Sequence, residues 1–152
     1  MKKLIFQAIA CCAVLLPIAK VQAATYGGWA PGKTFTFTVT ERVTAKTVGT
    51  KVTQNVAVPS GIPDYKKGQV VKFTIGAKGQ LTGPDGLSLP FKQDAITANV
   101  YGTLPTATKP NPNIGQVFKT AKNKPVSVAL SFFKVSISGY TPTTTTVVYT
   151  LK

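Results

Sequence analysis

Only four carboxylates, Glu41, Asp64, Asp85 and Asp94, stand in the 152-residue chain, and it contains no histidine. Its two cysteines, Cys11 and Cys12, both fall in the first 23 residues. General acid–base catalysis draws chiefly on His and on tuned carboxylates, covalent catalysis on an activated nucleophile, and zinc on Cys and His. Little of that equipment is present. Glycoside hydrolysis needs two carboxylates flanking the bond, but Asp64 and Asp85 sit in turn sequences, where Asp commonly bonds its own backbone. Asp94 precedes a strand, where it caps a turn. Glu41 continues the apolar parity of Phe35, Phe37 and Val39, so it lies either at a wet strand end, the preferred reading, or inward against a partner such as Arg42.

Serines and lysines coexist, so composition alone leaves a Ser-Lys dyad open. No serine stands in a G-x-S-x-G elbow, however, and there is no phosphate loop of the strand–turn–helix form. Calcium sites need several converging oxygens, and the acids here are scattered singly. The chain therefore reads as a non-enzyme, with no catalytic residue, no metal ligand and no cofactor assigned.

Two groups of residues are candidate ligand contacts instead. Tyr26-Gly27-Gly28-Trp29 places two large rings on a flexible pair of glycines, from which they can stack on sugars or bases; more simply, Trp29 is a lid over one end of the core. Lys119, Lys122 and Lys124 form a basic cluster, with Lys66-Lys67 a smaller one. The formal charge of +14 falls to +11 once Lys2, Lys3 and Lys20 are removed with the first 23 residues. That balance suits a polyanion such as an acidic polysaccharide, lipopolysaccharide or nucleic acid. Arg42 is the only arginine, though, and lysine is a hydrated point charge that also serves to solubilise surfaces and guard sheet edges.

The opening residues read as a targeting device. Lys2 and Lys3 precede an apolar run from Leu4 to Ile18, and Val21-Gln22-Ala23 fits the small-residue rule for cleavage before Ala24. The run is too short for the roughly 20 apolar residues that span a bilayer. Residues 1–23 are thus expected to be a helical secretory signal peptide, leaving no membrane span. Lipid attachment at Cys11 or Cys12 is disfavoured, because Ala8 stands where such sites usually carry Leu. The expected destination is the periplasm or the extracellular space.

What remains, residues 24–152, is enough for one domain with its own core. Thr34 to Thr40 alternates Thr with Phe35, Phe37 and Val39, the period-2 mark of a half-buried strand. Val71, Phe73 and Ile75 alternate in the same way, as do Val126, Val128, Leu130 and Phe132, and Thr143 to Leu151. Val52, Val56 and Val58 share a face up to Pro59, and Ala95 to Tyr101 alternates again. Gly76-Ala77-Lys78-Gly79 and Gly83-Pro84-Asp85-Gly86 are turns. Apolar parity switches at Phe132-Phe133, which predicts a β-bulge there or a strand crossing between sheets. The proline-rich stretch from Gly102 to Gly115 predicts a long loop, read first as a plain flexible excursion and second as a recognition loop. Threonine-rich strand faces are ordinary solvated surfaces.

No useful helical period occurs in this region. The expected fold is all-β, a single-domain antiparallel β-sandwich of immunoglobulin-like plan, with a small β-barrel as the alternative. In outline this resembles adhesin and fimbrial modules, an architectural likeness that does not fix function. The expected role is structural or binding, in the cell envelope or outside the cell, toward a polysaccharide, another envelope protein or a polyanion.

Overall fold

The structure, a computed structural model, describes residues 24–103 and 113–152. The expected signal peptide and most of the long loop lie outside the described residues. Among these, ten antiparallel strands and no helix are found: β1 (Thr34–Val48), β2 (Lys51–Gln54), β3 (Val70–Ile75), β4 (Leu81–Thr82), β5 (Ser88–Leu89), β6 (Phe91–Asp94), β7 (Ala98–Gly102), β8 (Ile114–Lys119), β9 (Pro125–Ser138) and β10 (Thr141–Leu151).

They form one hydrogen-bonded sheet in the order β5-β4-β3-β1-β10-β9-β8-β7-β6, with β2 beside β1. β1 serves two sets of neighbours. Its first part, Thr34 to Thr38, pairs with β3, and from Val39 onward it pairs with β10. The two end strands, β5 and β6, are consecutive in sequence and separated only by Pro90. Proline cannot donate to a ladder, so this is where the chain leaves one end of the sheet and enters the other.

The core follows from the alternation. Phe35, Phe37 and Val39 of β1, Val71, Phe73 and Ile75 of β3, and Val147, Tyr149 and Leu151 of β10 are all buried. Each such side chain is worth about 1.5–3 kcal/mol on removal from water. The two ends of the sheet meet over this core: a Cβ added at Gly115 of β8 would lie 2.9 Å from Leu89 and 3.5 Å from Leu81. Leu89 and Leu81 belong to β5 and β4, so the β8 backbone approaches them closely because position 115 has no side chain.

Several sequence expectations are corrected. β9 pairs with β10 in unbroken register from Ser138 to Val128, so there is no bulge at Phe132-Phe133. The parity change has another cause. Beyond Phe132 the strand outruns the core, burial no longer dictates which face is apolar, and Val135 and Ile137 are exposed. Register shifts occur instead between Val39 and Glu41, Phe91 and Gln93, and Phe118 and Lys119. The first resets the parity of β1, which leaves Glu41 exposed in mid-strand rather than at a strand end.

β2 covers only Lys51–Gln54, because Asn55 takes a positive φ of 57° and turns the chain out of the ladder before Val56. β7 starts at Ala98; Ile96 is 89% exposed, and Asn99 and Tyr101 are buried. Gly102 and Gly115 are strand residues rather than loop ends.

Candidate functional site

The sequence Tyr26-Gly27-Gly28-Trp29 closes on itself through two backbone bonds, Tyr26 N–H to Trp29 C=O at 2.8 Å and Trp29 N–H to Tyr26 C=O at 3.2 Å. Both glycines have positive φ, 60° and 87°, the combination that a type I′ two-residue hairpin turn requires. They also have no room for side chains. A Cβ on Gly27 would fall 2.1 Å from Asn99 Oδ1, and one on Gly28 would fall 2.3 Å from Asn123 Nδ2. The turn is held between those two asparagines.

Its two rings point into the molecule. Trp29 is 4% exposed, packs on Phe35 with ring centroids 4.6 Å apart, and donates its indole N–H to the Asn123 carbonyl at 2.8 Å. Tyr26 packs edge-on against Phe91 at 5.8 Å, and its hydroxyl reaches the Ala77 carbonyl. The structure thus places Trp29 as a buried lid.

Asn123 belongs to the turn after β8. There Thr120 and Lys124 exchange bonds, Asn123 N–H donates to Thr120 C=O at 2.9 Å, and Asn123 adopts a φ of 56°. The turn leaves Lys122 and Lys124 exposed. Because Trp29 is bonded to Asn123, the turn lies against the first hairpin, and a surface depression of about 550 Å³ opens between them. Trp29, Lys33, Lys122, Asn123, Lys124 and Pro125 line it, with no carboxylate among the lining residues.

Three of the five candidate contacts, Trp29, Lys122 and Lys124, therefore meet at one place. Lys33 joins them unannounced; it sits just before β1 with no pattern to single it out.

Tyr26 and Lys119 are placed elsewhere. The Lys119 side chain is only 6% exposed, and its ammonium donates to Asp94 at 2.7 Å, Asn99 Oδ1 at 3.0 Å and the Gly27 carbonyl at 3.3 Å. Asn99, fully buried, donates to the same Gly27 carbonyl at 3.1 Å. Asp94 and Lys119 also border a second shallow depression. The ammonium directs its donors at three acceptors supplied by the fold itself. The cluster is a strut joining the first hairpin to β6, β7 and β8. Nothing in the sequence marks Asn99 as its centre, since it stands in an ordinary alternating strand.

The remaining acids are accounted for locally. Asp64 accepts from Lys66 and, at 2.8 Å, from Arg42. The Lys66 hydrogen bond, with the positive charges of Lys66 and Arg42, holds its carboxyl below the usual range against an opposing effect of burial. Asp85 occupies a left-handed turn position with φ 56°. Among the described residues no group of three or more His, Cys, Asp or Glu is placed to hold a metal ion. No known protein family matches this chain, and no characterised protein or solved structure is significantly similar to it.

Proposed function

We propose that the chain is an exported, non-enzymatic β-sandwich of immunoglobulin-like plan that acts as a binding module in the cell envelope or outside the cell, and that its ligand is a polyanion. The amino-terminal pattern of charge, apolar run and small residues supports export. The sandwich reading rests on the close approach of β8 to Leu81 and Leu89, which brings side chains from the two ends of the strand order into one core.

One observation carries the ligand class: Lys33, Lys122 and Lys124 share a depression whose lining includes no acid. The buried Trp29 indole offers no ring face for stacking on sugars or unpaired bases. Recognition at this site falls to charge, and ammonium groups suit dispersed carboxylate, sulfate or phosphate groups better than the forked geometry that arginine reads. An acidic polysaccharide or the phosphorylated sugars of a lipopolysaccharide fits that description better than a nucleic acid read by its bases.

The test is retention on a sulfated polysaccharide as a function of salt. Affinity should fall steeply with salt, and replacing Lys33, Lys122 and Lys124 together by Gln should reduce the magnitude of the logarithmic salt slope by about 2–3. All three are exposed, so the folding transition should not move. Retention that is absent at low salt, or unchanged in the triple variant, defeats the reading.

A further inference from the structure

The far ends of β1 and β9, with β2 and the start of β10, run past the core as a four-stranded wing. Beyond Thr44, beyond Phe132 and before Val147, none of the described residues in these strands is buried. Two hairpins make the end of the wing. β1 turns into β2 through Gly49-Thr50, and β9 turns into β10 through Gly139-Tyr140, each glycine taking a positive φ, 58° and 63°. Glycine first in a two-residue loop suits a type II′ turn. Val48 pairs with Lys51 on one side and with Thr143 on the other, so the two turns stand side by side at one end of the sheet. Lys33 stands just before the opposite end of β1.

The tip presents apolar side chains on both faces. Tyr140 is 104%, Ile137 75%, Val52 55% and Val48 39% exposed. Directly paired residues share a face and successive residues alternate, so Val48 lies on one face of the wing and Val52 and Ile137 on the other. Valine and isoleucine suit any strand. A tyrosine in a two-residue turn is different, because Gly, Asn, Asp or Ser is the usual choice there. Residues 43–54 and 131–147 contain three charges, Lys46, Lys51 and Lys134, and no acid. All three lysines share the Val48 face: Lys51 is level with Val48, and Lys46 and Lys134 stand in one row two residues further back, about 7 Å from the tip. Lys134 donates to the Ser60 carbonyl at 2.7 Å, and Lys46 and Lys51 are exposed.

We propose that this tip inserts end-on into the interface of a lipid bilayer that carries anionic headgroups. A protein seated on one face of the wing would cover Val52 and Ile137 and leave Val48 in water, or the reverse, whereas lipid surrounds an inserted tip on all sides. Interfacial segments bury their apolar side chains about 5–10 Å into the headgroup and acyl boundary, a depth that brings the row of Lys46 to the headgroups. Tyrosine favours that boundary, and lysine stems reach through it to the lipid charges. Charge complementarity selects an anionic surface, since the wing offers cations and no carboxylate in a chain of net charge +14. The inserted side chains take no part in the core, so insertion asks nothing of the fold.

Flotation of the purified protein with lipid vesicles tests this. It should bind vesicles of phosphatidylcholine mixed with phosphatidylglycerol, and bind phosphatidylcholine alone about tenfold more weakly or less. The double variant Val52→Ser, Tyr140→Ser should lower partitioning about tenfold or more, and Lys46→Gln with Lys51→Gln should do the same on the mixed vesicles. All four positions are exposed, and circular dichroism reports whether each variant keeps its sheet. Tyr140→Trp separates insertion from adhesion through lysines elsewhere on the surface. Its indole should be quenched by brominated acyl chains, while Trp29, 4% exposed and beyond the other end of β1, should not be. No binding to the mixed vesicles overturns the proposal. So does binding indifferent to the Val52 and Tyr140 replacements, or a Tyr140→Trp indole that brominated lipid leaves bright.

Discussion

Lys119 shows how a single residue can look like a binding group in sequence and act as a support in the fold. Lysine is seldom buried unless paired, and this one has Asp94, Asn99 and the Gly27 carbonyl within reach. Replacing it with Met keeps the stem and removes the donors, leaving buried Asn99 and the Gly27 carbonyl short of a partner. The expected loss is about 1–3 kcal/mol, read as a lower denaturant midpoint with an unchanged slope. Lys122 and Lys124 were legible as candidates because a basic turn shows in composition. Their meeting with Trp29 and Lys33 was not, since it depends on an indole N–H reaching a carbonyl 94 positions away in the chain. The same holds for Asn99: a buried asparagine is recognised by what surrounds it.

At the level of strands, alternation was readable wherever one face meets the core, as in Phe35, Phe37 and Val39 or Val71, Phe73 and Ile75. It misled where that pressure is absent. In the outer half of β9 both faces are wet, so Phe133, Val135 and Ile137 imitate a bulge without one. The true register shifts, after Val39 and near Phe91 and Phe118, left no comparable mark because the residues around them, such as Thr40, Glu41 and Arg42, or Lys119 and Thr120, are mostly polar and display no apolar parity to switch. Glycine likewise hides its reasons. Gly115→Ala should cost about 1–3 kcal/mol, because its methyl group would lie 2.9 Å from Leu89 and 3.2 Å from Leu130. Gly49 faces open space but carries a φ of 58°, so an alanine there strains only the β1–β2 turn. Thermal unfolding of the Gly115 variant gives the measurement; an unshifted midpoint would mean that β8 can withdraw from β4 and β5.

Across the whole molecule, an all-β plan of antiparallel strands could be read from the chain, while the pairing of β1 with β10, which joins the two halves of the strand order, links residues as far apart as Val39 and Leu151. Stability at high pH depends on three enclosed phenols. Burial raises Tyr65, Tyr101 and Tyr149 above the ordinary value of 10.0. The hydroxyls of Tyr65 and Tyr101 have no hydrogen-bond partner among the described residues, and that of Tyr149 donates to the Pro63 carbonyl at 2.6 Å. A folded-state value above the unfolded one means that their contribution is complete below pH 10.0 and is lost as pH climbs through and beyond it. In an alkaline titration, three of the five tyrosines should ionise only together with loss of the sheet signal in circular dichroism.

β10 lies between β1 and β9, and Thr38 and Lys152 exchange two backbone bonds at 2.8 and 3.0 Å. The middle of the assembly is thus supplied by a stretch that the ribosome makes after every other strand. Until Thr141 to Leu151 has been synthesised, β1 and β9 have no shared neighbour to bring them together, and such distant pairings form slowly. The pairs β1–β3 and β7–β8–β9 need no residue of β10, so the last strand joins two part-formed halves and does not start the sheet.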